Sequence, residues 1–477
     1  MLPKNLKYTN KVESSMMSRS YTSNIQPNGS LGNYKKNSVC TIMIPTGPNL
    51  CLVSSESVLK FTLQTLGTGF GRFDSVGCCP IERIRVFHGS NLLEDIAGYN
   101  LAVKEYFDLQ VSTDASYGKY SILNGNRQDT YGVNHYAPTI AGLGETNDTN
   151  ANAQITSLKN AILSGSTNYC VNSGELIQAE KPQTYCITLL SILGSLSSSH
   201  YLPLFEMTAS PIRLEIQFSQ SPQCFGAFPD TITDFQVDNI EYIASYIALS
   251  NEALSIIKSA QSGPLSYTVQ GLANFNTTAK IVGGSSNTQI NFAIPAKYAS
   301  IKSIIASVRD TQRGVNTPMY FPLSCSMFGL QQYYFKIGSH SSIPAIAPNS
   351  VAQYFTELLK AVGNISDLNH HPSIDLNSYK QMIPVENSPN AITNGSVNSG
   401  SFYIGLDCES FSGSDSSQIY KGLNTKNDDI FLCMNFQPGN KSGGTTPYPD
   451  VDSARFDAFV MFDQELVFQN GTAYVSF

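Results

Sequence analysis

Four groups of residues in this sequence have the types that catalysis or ligand binding uses. Gly67, Gly69 and Gly71 follow an alternating apolar run, as a phosphate-cradling loop follows its strand. Such a loop needs a helix N-terminus behind it, because backbone N–H groups and the helix dipole hold the anion. Neither a helical pattern nor a Lys-Ser/Thr ending follows, so a turn is expected there. His370 and His371, with Asp367 and Asp375, offer metal-ligating types. Adjacent histidines point apart and no third ligand recurs at useful spacing, so an exposed loop is expected. Asp450, Asp452 and Asp457 invite a calcium reading but lack the turn glycine and closing glutamate of a hand-like loop. Asp407 and Glu409 lie two apart on an expected strand and share a face, as a pair of glycosidase carboxylates could; a polar sheet face or a subunit salt bridge is the reading adopted. There is no Gly-x-Ser-x-Gly elbow and no evident Cys-His arrangement. No catalytic, cofactor-binding or metal residue is assigned, and a non-enzymatic role is expected.

The elements that would position any site read as β. Ile84 and Val86 alternate with Arg83 and Arg85, the period of a half-buried strand. Gly89-Ser90 breaks the pattern. From Leu92 the apolar positions Leu92, Leu93, Ile96, Tyr99 and Val103 predict an amphipathic helix, with Glu94, Asp95 and Lys104 largely off its apolar face. About half the chain further on, the same unit returns: Tyr333, Phe335 and Ile337 form a strand face, Gly338-Ser339 the break, and Ser350 opens a helix carrying Val351, Tyr354, Phe355, Leu358 and Val362. A duplicated domain is the simplest account.

Further strands are expected at Leu59 to Leu63, Tyr185 to Leu196, Ile212 to Phe218 and Asp238 to Leu249, before a helix over Asn251 to Ala260 capped by Ser250. In the second half they are expected at Leu265 to Val269, Asn276 to Val282, Gln289 to Ile294, Ala299 to Arg309, Ser401 to Leu406, Ile430 to Phe436 and Phe456 to Phe462. The last stretch, Glu465 to Phe477, holds Asn470-Gly471 between two apolar runs, the commonest signature of a tight hairpin.

A chain of 477 residues exceeds the usual limit of a single core, so two domains are expected. Charged residues are 14% of it, against about 25% typically, and this favours strands, turns and protein contacts over solvated helices. The net charge of −7 gives no general case for nucleic-acid binding. Its distribution is uneven: Lys4, Lys7, Lys11, Arg19, Lys35 and Lys36 face a lone Glu13 within residues 1–36. The ten cysteines have no zinc spacing and no disulfide framework, and a reducing compartment is expected. Met1 to Lys11 lacks the apolar core of a signal peptide.

The fold expected is all-β, two tandem eight-stranded jelly rolls with short inserted helices, although periodicity alone does not separate jelly rolls from other sandwiches. Residues 1–36 are expected as a flexible basic arm. The first roll is expected over 37–262, with an exposed excursion at about 112–174 and a linker helix at about 251–260. The second is expected over 263–477, with an excursion at about 363–400.

Specific runs carry a resemblance. Ser57-Val58-Leu59-Lys60-Phe61-Thr62 and Ile81 through Ser90, with Leu92-Leu93-Glu94-Asp95-Ile96 and Tyr99-Asn100, resemble the first jelly roll of major capsid proteins from polinton-like viruses and virophages. Ile404 to Glu409, Gly422-Leu423-Asn424-Thr425 and Phe456 to Phe477 resemble the second. That group is related to adenovirus hexons and the coats of tailless, membrane-containing bacteriophages. The resemblance implies a homotrimer with pseudohexagonal outline that builds the icosahedral shell of a double-stranded DNA virus and resides in the virion. Implied partners are neighbouring capsomers, penton and minor capsid proteins, and an internal membrane or genomic DNA met by the basic arm. A soluble tail remains the other reading of that arm. The rival function is a receptor- or carbohydrate-binding β-sandwich, such as a spike or lectin-like protein.

Overall fold

The computed structural model describes residues 18–67, 70–73, 78–112, 115, 119–124, 177–178, 182–197, 200–220, 225–228, 232–260, 263–311, 323–363, 365, 372–374, 376–382, 400–409, 422–441 and 444–477. The first half contains β1 (Ser18–Ile25), β2 (Val39–Ile44), β3 (Leu50–Leu52), β4 (Val58–Gly67), β5 (Phe70–Phe73), β6 (Ile81–His88), β7 (Asn91–Ala97), β8 (Ile177–Gln178), β9 (Gln183–Ile187), β10 (Ile212–Phe218), β11 (Phe225–Phe228) and β12 (Ile232–Leu249). The second contains β13 (Leu265–Ile281), β14 (Thr288–Ile294), β15 (Ile301–Asp310), β16 (Leu330–Ile337), β17 (His340–Ile343), β18 (Tyr403–Asp407), β19 (Ile430–Phe436), β20 (Val451–Gln469) and β21 (Thr472–Ser476). Helices α1 (Tyr99–Gln110), α2 (Asn251–Ala260) and α3 (Val351–Val362) are inserted among them.

The pairing order shows the duplication. In the first half one sheet runs β1-β12-β4-β9 and the facing one β2-β10-β6-β7; in the second half the orders are β13-β20-β15-β18 and β14-β19-β16-β17. Numbered along the chain, the eight strands of one half map one to one onto the eight of the other, and α1 and α3 occupy the same place in the sequence of elements. Two antiparallel four-stranded sheets with these crossovers form a jelly roll, so the chain is a double jelly roll. β3 adds to β12, β21 adds to β20, and β11-β5-β8 make a small separate sheet in the first half.

Strand β10 shows why the sequence folds this way. Ile212, Leu214, Ile216 and Phe218 are all buried, and burying each such side chain stabilises the fold by roughly 1.5–3 kcal/mol. The alternate residues face outward and are paired: Glu215 meets Arg85 at 2.9 Å across the strands and Arg213 at 3.1 Å. A one-residue slip would exchange the two faces, so the register is fixed.

Three expectations are corrected. Leu92 to Ala97 is a strand, β7, hairpinned to β6 through Gly89-Ser90, and the helix begins only at Tyr99. Val86 pairs Glu94 whereas Phe87 pairs Leu92, so Leu93 is an extra, bulged residue. The bulge turns Leu93 and Ile96 to the interior three positions apart, imitating helical spacing. The basic arm does not extend to residue 36 either. Ser18–Ile25 pairs antiparallel with β12, and Tyr34 bridges Val237, because without β1 the first roll would lack the strand that β13 supplies to the second. The strand expected over Tyr185 to Leu196 ends at Ile187; Ser195–Ser197 is a short 3-10 turn.

Lys4, Lys7, Lys11 and Glu13 lie outside the described residues, as do most of the excursions expected at 112–174 and 363–400. The linker helix α2 is as expected, with Ser250 Oγ accepting from the Ala253 N–H at 3.2 Å. Ser350 caps α3 in the same way, accepting from the Gln353 N–H. Asn470 (φ 54°) and Gly471 (φ 76°) form the final hairpin turn.

Candidate functional site at the seam between the rolls

The residues singled out for chemistry do not converge. β4 closes at Gly67, and the next elements among the described residues are strands, β5 and β6, rather than a helix. Asp367, His370, His371 and Asp375 lie outside the described residues. Asp450 and Asp452 flank the exposed Lys280, each at 2.8 Å. Asp457 is fully buried, accepting from Arg309 Nε and Arg455 Nε at 3.0 Å each. Asp450 and Asp452 thus share Lys280 whereas Asp457 serves two arginines, so the three aspartates do not form one site. Asp407 Oδ1 accepts the Glu409 backbone N–H at 2.9 Å, and Glu409 lies 3.9 Å from Lys302; burial raises the Asp407 carboxyl above its ordinary range.

The polar chemistry that the fold does concentrate lies where the rolls meet, around α1. Its N-terminal neighbour Gly98 has φ 63°, which disfavours any side chain, and a Cβ there would stand 2.5 Å from Asn274 Nδ2 in β13, so that side chain would have to move. On one side α1 is tied to the first roll: Asn100 Nδ2 donates to Cys79 O at 3.2 Å, and the Leu190 N–H donates to Tyr99 OH at 2.7 Å. On the other side it meets the second. Lys104, with no exposed surface, points its Nζ at Asp108 Oδ2 (2.9 Å), Gly400 O (2.9 Å), Tyr403 OH (3.0 Å) and Ser401 Oγ (3.3 Å). Tyr403 OH in turn donates to Asp108 Oδ2 at 2.8 Å. Ser373 Oγ donates to the Phe107 carbonyl at 3.2 Å.

A second link joins the hairpins. His88 Nδ1 accepts the Ala473 N–H at 3.0 Å, which fixes the tautomer with hydrogen on Nε2. That Nε2–H then donates to the Met207 and Ser210 carbonyls, at 3.1 and 3.0 Å. Asn91 Nδ2 donates to the Ala473 carbonyl at 3.0 Å.

The seam suits cohesion rather than turnover. Burial pushes the Cys325 thiol up to about 11 and Tyr403 well above its ordinary range, so neither is an activated nucleophile. None of the eight described cysteines forms a disulfide, and burial raises Cys78 to about 12 and Cys51 to about 11. Among the described residues no group of three His, Cys, Asp or Glu could hold a metal ion. Sequence periodicity placed Lys104 on a wet face. The available signal was that Lys104 and Asp108 sit four apart in a helix whose other positions, Leu101, Ala102, Val103 and Leu109, are apolar nearly all round; a helix of that kind is enclosed on all sides.

Between α1 and the second roll lies a cavity of about 340 Å³. Glu105 lines it, almost wholly buried, and its Oε2 has no hydrogen-bond partner. Burial pushes this carboxyl well above the ordinary range, with Lys104 opposing the shift.

No protein-family model and no curated protein sequence matches the chain. Solved structures do. A chain of the Sputnik virophage structure matches with a TM-score of 0.57 at 10% identity, over 100% of this chain and 92% of that one. The mavirus major capsid protein matches with a TM-score of 0.53 at 10% identity, over 100% and 95%. The PBCV-1 virus capsid gives 0.57 at 10% identity, over 98% and 99%. At such identity the likeness concerns the backbone, and it runs the full length of both partners. The chain thus has, in both its halves, the double jelly-roll fold found in these viral capsid proteins.

Proposed function

We propose that this protein is a major capsid protein, which trimerises into pseudohexagonal capsomers and builds the icosahedral shell of a double-stranded DNA virus. The observation that carries this reading is the strand-for-strand equivalence of the two halves, in a chain whose backbone follows viral capsid proteins from end to end. A protomer holding two equivalent rolls lets three copies present six similar edges, and six-sided units tile a surface with closed symmetry inside each unit. The seam supports the same reading, since a shell component gains from two rolls that move as one body. Residues 1–17, with Lys4, Lys7 and Lys11 against Glu13, would meet a polyanion or a neighbouring subunit on the inner side of the shell. Penton and minor capsid proteins would be further partners, and the virion the site of action.

Size-exclusion chromatography with light scattering, followed by electron microscopy of concentrated protein, tests the reading. A trimer that tiles into hexagonal sheets or shells is expected. A persistent monomer that binds glycans would replace it with the spike or lectin-like alternative.

A further inference from the structure

The seam cavity has a chemical demand that its own walls leave unmet. Four charged side chains line it: Glu105, Lys302, Lys360 and Glu409. Lys360 is engaged by Glu357 at 2.7 Å, and Lys302 by Asp463 at 3.3 Å and Glu409 at 3.9 Å. Glu105 differs from them. It is the deepest of the four, and its Oε2 has no hydrogen-bond partner. Lys104, its neighbour in the chain, turns instead to Asp108, Gly400 and Tyr403. The terminal torsion of a glutamate is soft, so a small rotation presents either oxygen to the cavity. The remaining wall is largely apolar, with Leu109, Leu272, Ile305 and Phe459 contributing.

A carboxyl with an orphaned acceptor at the bottom of an apolar chamber calls for a donor that also fills the chamber. We propose that the seam cavity is a binding site for a small primary ammonium ion, whose N–H groups bond the Glu105 carboxylate while its short aliphatic stem lies against Leu109, Leu272 and Phe459. An ammonium brings three donors and a charge that favours the ionised form of a carboxyl whose ionisation burial otherwise opposes, and such charge-assisted bonds are the stronger kind. Water would satisfy the oxygen but leave the apolar wall unfilled. An organic anion would set its charge against Glu105. The chamber lies near the lower end of the roughly 300–1,000 Å³ usual for ligand pockets, which limits the stem to a few carbons.

The test uses the full chain with n-butylammonium, butanol and butyrate as probes, read by thermal shift and by calorimetric titration. n-Butylammonium is expected to raise the melting temperature saturably, while butanol and butyrate at equal concentration leave it unchanged. Glu105→Gln keeps the shape but cannot ionise, and about tenfold or weaker binding of the amine is expected. An equal response to all three probes, no response to the amine, or unchanged binding by Glu105→Gln overturns the proposal. Should Glu105→Gln fail to fold, Leu272→Trp fills the chamber with the carboxyl left in place. Loss of amine binding in that variant upholds the site, and retention overturns it. The proposal does not depend on the capsid reading, so trimer formation and amine binding can fail separately.

Discussion

Burying an amine is costly unless every partner is in place, and Lys104 has partners from both rolls. Lys104→Met withdraws the ammonium from Asp108 and from Tyr403, leaving a buried carboxylate with a lost cation. Destabilisation of about 3–5 kcal/mol is expected, read from urea or guanidinium midpoints. Adding Asp108→Leu should recover much of this, because removing both charges is cheaper than removing one. Recovery of nothing would mean that the two side chains do not act as a pair. Glu94, buried in β7, accepts the Ser191 hydroxyl and the Ile192 N–H at 3.2 Å. Burial still raises its carboxyl from the model-peptide value of 4.5 to about 7. Between those two values the folded protein holds a proton that the unfolded chain has released. Stability should therefore fall as pH rises from about 4.5 to about 7, by on the order of 3 kcal/mol, and level off above. Glu94→Gln should flatten that part of the profile in denaturation measured across the window. Residue types alone carried only part of this. Lys104 and Asp108 announce a helical pair, but only the second roll lying over α1 turns the pair into a buried one.

At the level of elements, close approach decides which changes are tolerated. A Cβ on Gly405 in β18 would stand 2.9 Å from both Leu358 Cα and Ala361 Cβ of α3. Gly405→Ala must push the helix off the sheet, and a net loss of roughly 1–3 kcal/mol is expected despite the more restricted unfolded chain; an unchanged melting temperature would show that α3 shifts freely. Removing 472–477 strips β21 from β20 and takes away the Ala473 groups that hold His88 and Asn91. That truncation should lower stability far more than deletion of residues 125–174. Local chemistry made many elements readable in advance: Ile430 to Phe436, the Ser350 and Ser250 caps and the Asn470-Gly471 turn all stand where their residues indicated. The first hairpin was not readable, because a bulge at Leu93 converts period two into something resembling period 3.6. Nor was β1, whose mostly exposed residues carry no inward pattern and depend on backbone pairing with β12.

For the molecule as a whole, the duplication was visible as a strand and helix unit recurring half a chain later, whereas the interface between the copies was not. Periodicity reports which face of an element is dry but not what covers it. Residues 18–262 expressed alone should consequently be poorly packed, with weak near-ultraviolet dichroism and fast amide exchange in α1, since Tyr403, Ser401 and Gly400 would be missing from around Lys104. A half that stays native in isolation would remove the seam from the account of stability.

Topologically α1 and α3 are counterparts, yet α1 is enclosed on nearly all sides while α3 buries only Tyr354 and Leu358. Equivalent places in the two rolls thus hold unequal helices, one a wedge and the other a lid. A chimera of two first halves would set a second wedge where nothing encloses it, with another lysine seeking a tyrosine that such a chain would not possess. The copies have ceased to be spare parts for each other.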